Sequence, residues 1–223
     1  MTATATTATQ TTAALTLGQA FRGFAGHRSP RILIPLVIAA WGTRLVLGGW
    51  SVGDAVVPMV IVGLEPFTEW SIHVFLLHWK PRRVMGRTID PLAARKHRAH
   101  HRDPKDEDLV FVPLPLLLAS VSVGAGIYLL LLPTLALAVM TMAVSYSVLL
   151  AYEWTHFLIH STYRPRSRLY RYVWRAHRLH HFRNERYWFG VTMHAADHVL
   201  RTFPDRDAVP VSPTARTLGV PSA

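Results

Sequence analysis

The chain has 223 residues, half of them apolar, and carries 24 Lys and Arg against 13 Asp and Glu for a formal net charge of +11. That length suits one domain, and the complete lack of cysteine excludes disulfides, thiolate zinc sites, thiolate-held iron–sulfur clusters and cysteine nucleophiles. A basic balance of this size would suit nucleic acid, but the charge is distributed as a membrane would distribute it, and no nucleic-acid partner is expected.

In chain order, residues 1–30 open with the Thr/Ala-rich run MTATATTATQTTAALT, which lacks the basic start of a signal peptide. This reads as a disordered lead-in followed by an interfacial helix over Gly18 to Pro30. Four long apolar stretches follow: Ile32 to Trp50 (interrupted by Arg44), Ala55 to Trp79, Leu109 to Leu132, and Thr134 to His160. Each is long enough to cross the roughly 30 Å of a bilayer's hydrocarbon core. The turns near Ser51–Asp54 and Pro133 are very short, so the stretches pair as two helical hairpins. All Lys and Arg except Arg44 lie in the head, the Lys80–Asp108 connection or the tail, on one side of these hairpins. This pattern places both termini and the central loop in the cytoplasm.

The predicted fold class is therefore all-α and integral to the membrane: four transmembrane helices in two hairpins, with a cytoplasmic helical cap. The membrane domain spans residues 31–204, and the tail 205–223, rich in proline and small residues, is expected to be disordered. The expected location is a bacterial plasma membrane.

Twelve of the thirteen histidines fall in five clusters. They are His73-Val-Phe-Leu-Leu-His78, His97-Arg-Ala-His100-His101, His156-Phe-Leu-Ile-His160, His177-Arg-Leu-His180-His181 and His194-Ala-Ala-Asp-His198; His27 stands alone and reads as an ordinary surface histidine. Neutral imidazole is a donor for iron, zinc or copper, and ten or more such ligands imply more than one ion. Residues four apart share a helix face. The middle histidine of each His-x-x-His-His run is displaced around the helix, so one short helix can face two ions. The five-residue spacing of His73 and His78 suits a helix end that loosens or overwinds. How the ligands divide between two ions is left open by the spacing. A lone histidine in a membrane helix is more often ordinary packing, but clusters at ligand spacing argue against that for the first four. His194 and His198 read equally as an added ligand pair or as part of the cap. Glu69, Glu153, Asp103 and Asp197 lie near the clusters and are candidates to accept from imidazole N–H groups.

These clusters resemble the membrane fatty acid hydroxylase superfamily, which includes sterol desaturases and carotenoid hydroxylases. The likeness runs from about Glu65 to Thr202 and is strongest to the catalytic domain of fatty acid 2-hydroxylases. It lies in Glu69-Trp-Ser-Ile-His73, His78-Trp-Lys-Pro81, His97-Arg-Ala-His100-His101-Arg-Asp-Pro104, His156-Phe-Leu-Ile-His160, His177-Arg-Leu-His180-His181 and Phe189-Gly190 with Asp197 downstream. The resemblance implies a dinuclear metal centre held by His73, His78, His97, His100, His101, His156, His160, His177, His180 and His181. It implies two iron ions, which zinc can replace in a purified sample, with O2 as co-substrate. Eukaryotic 2-hydroxylases usually carry a fused cytochrome b5 domain; nothing in these residues would encode one, so electrons are expected from a separate reductase, ferredoxin or cytochrome.

The implied reaction is hydroxylation of a lipid, with a fatty acyl chain held in an apolar slot opening from the bilayer and oxidised next to its carbonyl. Tyr146, Tyr152, Trp154, Tyr187 and Trp188 are candidate pocket residues, though such aromatics more often form a membrane-interface belt. Loop Arg and Lys could hold an acidic headgroup or dock an acidic donor. A carotenoid or sterol hydroxylase or desaturase is the alternative within the superfamily. A metal transporter would place its site near the midplane, and a bis-histidine haem protein would leave the His-x-x-His-His runs unexplained.

Overall fold

Thr16 caps the first helix: its hydroxyl accepts from the Gln19 amide, and the Gln19 side chain returns to the Thr16 amide at 2.9 Å. The structure, a computed structural model, describes residues 14–221. The first part of the Thr/Ala-rich lead-in, residues 1–13, lies outside the described residues. Helix α1 (Leu17–Gly26) turns at His27, whose extended backbone breaks the helix, and α2 (Arg28–Leu47) starts there, three residues ahead of the boundary the sequence suggested.

Helix α3 (Gly53–Ser71) runs on without a break into a π-helical turn (Ile72–Leu77). A small antiparallel hairpin follows, β1 (Arg82–Val84) and β2 (Arg87–Ile89), in register Arg82 to Ile89. It was not part of the all-helical expectation. Its two-residue turn places Met85 and Gly86 at positive φ, as tight hairpin turns demand. Then come α4 (Leu92–Arg102), a 3-10 turn (Glu107–Leu109), α5 (Leu114–Leu131), α6 (Leu135–His160), α7 (Arg168–Phe182) and the short α8 (Ala195–Val199).

Four helical spans are long and apolar enough to cross a membrane: Arg28–Leu47, Gly53–Leu77, Glu107–Leu131 and Leu135–His160. The chain is a multi-pass membrane protein of two helical hairpins. Large apolar side chains such as Ile38, Val46, Met59, Leu130 and Leu131 are exposed on the outer faces, where lipid would cover them. The last span is the axis of the bundle and the most buried of the four. Leu33 of α2, Leu117 and Val121 of α5 and Tyr146 of α6 form one core layer. Ala20 and Phe24 of α1 pack on Phe157 and Leu158, so α1 lies against the histidine-bearing end of α6. In the cap, Ile159, Val173 and Val191 join α6 to α7 and the following loop.

The tail is ordered, contrary to the disorder its composition predicts. Residues 205–221 are packed: Val209, Ala215 and Leu218 are buried, and Val209 sits with Ala176 and Trp188. Apart from a 3-10 turn at Arg206–Ala208 the tail forms no helix, and its backbone carbonyls accept bonds from α4 and from Arg183 at the end of α7.

Candidate metal centre

Each histidine cluster is aimed by its helix. In a regular α-helix residues five apart are about 140° out of phase. The π turn closes an i→i+5 bond, His78 N–H to the His73 carbonyl at 3.1 Å. It brings the two rings to one side, centroids 4.9 Å apart. On α4, His97 and His101 share a face with Nε2 atoms 3.1 Å apart, while His100 points to His156, His160 and His181, at centroid distances of 4.8, 4.4 and 4.7 Å. On α7 the arrangement is mirrored. His177 and His181 have Nε2 atoms 3.0 Å apart, and His180 turns to His73 and His101, 4.6 and 4.9 Å away.

The outcome is two groups of five. His73, His78, His97, His101 and His180 form one; His100, His156, His160, His177 and His181 form the other. Within each group the ligand nitrogens lie within 4.8 Å of one another. Each His-x-x-His-His run gives two rings to one group and its middle ring to the other, in opposite senses.

The hydrogen bonds fix the tautomers. Nδ1 of His73, His101, His156 and His180 faces the carbonyls of Phe189, Ala215, Val110 and Tyr187 at 2.6, 2.8, 2.8 and 2.8 Å. A carbonyl only accepts, so each Nδ1 carries the proton and each Nε2 presents a lone pair. The Nε2 atoms of His156 and His180 are buried with no protein partner. Those of His73 and His101 both lie 3.1 Å from the single Nε2 of His97, which can donate to one at most. Burial holds the rings of His97, His100, His101, His177 and His181 well below the usual imidazole range, with neighbouring imidazoles adding to it. Burial likewise pushes His180 down to about 4, against the opposing effect of its bond to Tyr187. Neutral rings with converging, unpartnered lone pairs are what two transition-metal cations require, and the residues present fit that group.

A fatty acid hydroxylase family model matches residues 58–202, which span every one of these ten histidines. The chain belongs to that family. It is 29% identical over 183 residues to the dihydroceramide fatty acyl 2-hydroxylase FAH1 of Arabidopsis thaliana, covering 80% of this chain and 73% of the relative. It also superposes on the hydroxylase domain seen in a structure of full-length Scs7p, with TM-score 0.67 and 25% identity over 82% of this chain and 68% of that one. This member of the fatty acid hydroxylase family is therefore an enzyme, a membrane oxidoreductase.

In this hydroxylase the carboxylates depart from their expected role. Among the described residues no carboxylate bonds any of the ten rings. Glu69 instead accepts from the amides of Val191 and Thr192 and the Thr192 hydroxyl. Asp197 accepts from the amides of Phe189 and Gly190 at 3.0 and 2.8 Å and from the Thr202 hydroxyl at 2.6 Å. Glu153 holds the Val112 amide at 3.1 Å and the Ser29 hydroxyl at 2.6 Å. Asp103 is exposed and accepts only from the Lys105 amide. The acidic groups clamp the loops, and the loops' carbonyls meet the imidazoles. Gly190 belongs to this clamp, since a Cβ there would lie 2.3 Å from the Met193 carbonyl oxygen.

His194 and His198 join neither group. His194 Nδ1 donates to Asp197 at 3.0 Å, and His198 Nε2 meets the Tyr172 hydroxyl at 2.7 Å. His27 packs at a tilt against Phe111, centroids 4.5 Å apart, beside Glu107 and Asp108. The carbonyls of Val110, Tyr187, Phe189 and Ala215 were not foreseen, because every residue has a carbonyl and no residue type announces its use.

The hydroxylase also has a cavity of about 890 Å³ between α3, α5 and α6. Val60, Leu64, Leu116, Gly124 and Leu149 line its membrane part, and its floor is formed by His73, His97 and His156. It therefore touches both histidine groups. Tyr146 and Tyr152 line it too, whereas Trp154 packs on Phe24, and Trp188 is buried in the cap.

Proposed function

We propose that the protein is a di-iron, O2-dependent hydroxylase that oxidises a fatty acyl chain at the carbon next to its carbonyl. The observation that carries this reading is the cavity, an apolar slot in the bilayer half of the bundle whose floor is made of rings from both five-histidine groups. The named activity of the plant relative, fatty acyl 2-hydroxylation, supports the position.

His73, His78, His97, His101 and His180 would hold one iron, and His100, His156, His160, His177 and His181 the other. Bound iron would supply the redox chemistry toward O2 that an unactivated C–H bond demands. The chain's own work is orientation. Leu64, Leu116 and Leu149 bind the acyl tail, and the floor residues fix which carbon lies over the centre. The apolar walls, set in the bilayer half of the bundle, would keep water from the reacting carbon. The backbone carbonyls at Nδ1 keep each Nε2 unprotonated and aimed inward.

The charge distribution supports a cytoplasmic cap and termini, since Arg44 is the sole basic residue away from the cap side. Electrons would come from a separate carrier. The exposed face of α7 offers Arg168, Arg171, Arg175 and Arg178 to an acidic donor, on the helix that carries His177, His180 and His181.

The test is untargeted lipid mass spectrometry of cells making the wild-type chain beside cells making His180→Ala. A lipid that gains one oxygen on an acyl 2-carbon only with the wild type is the expected result. A lipid that loses two hydrogens would replace the reading with desaturation, and oxygen at another carbon would overturn the position.

A further inference from the structure

After α8 the chain doubles back and bridges the C-terminal ends of α4 and α7, the two helices that carry the His-x-x-His-His runs. At α7, Arg183 donates through Nε to the Val209 carbonyl at 2.8 Å, and its own carbonyl accepts from the Ser212 amide at 2.7 Å. Asn184 Nδ2 reaches the Pro210 carbonyl at 3.3 Å, and the Thr214 hydroxyl donates to the buried Glu185 carboxylate at 2.5 Å. At α4, His101 Nδ1 donates to the Ala215 carbonyl at 2.8 Å. The Arg102 guanidinium donates to the Val220 and Pro221 carbonyls, and Arg216 donates back to the Arg102 carbonyl.

We infer that residues 209–216 are a strap that completes one of the two metal sites: Thr214, held by Glu185, sets the Ala215 carbonyl that orients His101. This rests on the reading that the two histidine groups hold metal. The strap's effect is confined by geometry. His101 belongs to the group with His73, His78, His97 and His180. In the other group, His156 bonds the carbonyl of Val110, in the connection between α4 and α5 and not in the strap. His101 is fully buried and stacks on His181, so without Ala215 its Nδ1–H would have no acceptor and the ring no preferred tautomer. Removing such an outer hydrogen bond from a ligating histidine typically weakens metal binding about 10- to 100-fold. Thr214 and Glu185 are positioning residues, since neither is in the histidine groups.

The experiment is a metal count and chelator titration on the purified full-length protein loaded with cobalt(II), comparing wild type, Thr214→Val, Thr214→Ser, and His101→Ala with and without Thr214→Val. The inference expects two metals per wild-type chain. In Thr214→Val one of the two should leave at about 10- to 100-fold lower chelator, the other unchanged. Thr214→Ser should behave as wild type, and combining Thr214→Val with His101→Ala should add nothing to His101→Ala alone. Melting of the metal-free forms reports folding separately: Thr214→Val takes a donor from the buried Glu185 carboxylate and should melt a few degrees lower, whereas selective loss of one metal is what only the strap's role would produce. If both metals leave Thr214→Val at the wild-type chelator concentration, the strap has no role in the centre. Equal weakening of both metals would make the strap general packing and overturn the inference. A wild-type chain that takes up no cobalt would instead overturn the metal reading on which this stands.

Discussion

The rings of His101 and His181 lie stacked, centroids 4.1 Å apart and planes 25° apart, one from each five-histidine group. They come from equivalent positions of two His-x-x-His-His runs on different helices. Because each run also sends its middle ring across to the opposite group, neither site is built from one helix pair alone. A substitution on α7 should therefore damage the group centred on α4. His180→Ala should lose the metal of the His73/His78/His97/His101 group and keep the other, and His100→Ala should do the reverse. Activity should fall to background in both, with His27→Ala at wild-type level. Metal content by mass spectrometry beside a hydroxylation assay checks this; full metal occupancy in His180→Ala would sink the assignment.

Gly124 marks the far part of the slot. A Cβ added there would meet nothing closer than a Tyr128 ring carbon at 3.9 Å, so a side chain can be accepted without moving the backbone. Gly124→Phe should fold normally and occupy the volume that the end of a long acyl chain needs. Turnover of the longest substrates should fall by an order of magnitude or more, within the range that displaced methylene groups produce in a fitted pocket. Shorter chains should be affected less. Product profiling across chain lengths tests this, and a uniform loss at every length would mean that the tail does not lie along α5.

At the opposite end of the bundle, Arg44 is fully buried and pairs with Asp54, Nε to Oδ1 at 2.7 Å and Nη2 to the same oxygen at 2.6 Å. Its guanidinium also lies 3.9 Å over the Trp50 ring and donates to the Gly48 carbonyl. This ties the turn between α2 and α3. Arg44→Ala would leave Asp54 without its cation, and breaking one side of a buried pair costs more than replacing both. The variant should melt several degrees below wild type in detergent, and Arg44→Leu with Asp54→Leu should recover most of that loss. Equal melting of the two variants would show that the pair does not hold the turn.

Much of the centre was legible because its information is periodic. Histidines four apart share a helix face, and the five-residue step from His73 to His78 called for an irregular turn, which the π turn supplies. The four spans were legible for the same kind of reason, since hydropathy is summed over long windows. What could not be read depended on tertiary closure. Glu69 stands one turn before His73, yet it bonds Val191 and Thr192, residues distant in sequence whose loop carries the Phe189 carbonyl to His73. The tail looked unstructured because proline and small residues signal the lack of helix, and that signal is silent about carbonyls used by another element. His194 and His198 had ligand spacing, but Asp197 and Tyr172 take them instead.

Acid should destabilise the metal-free protein, and the sign follows from burial. An unfolded histidine takes its proton near pH 6.5, whereas folded His180 resists protonation down to about 4, chiefly because it is buried. His97, His100, His101, His177 and His181 are shifted the same way. Between these values the unfolded chain binds protons that the folded chain does not, so stability is full above about pH 6.5 and is lost as the pH falls toward 4. One such ring contributes a slope of about 1.4 kcal/mol per pH unit within that window. The metal-free protein should melt at nearly constant temperature from pH 8 to 7 and progressively lower from pH 6.5 to 5. Bound metal should add a further proton-linked loss, because protons compete for the same Nε2 lone pairs. Thermal melts of both forms across this range decide the matter: a flat profile down to pH 5 in the metal-free protein would mean that the rings are not held neutral by the fold.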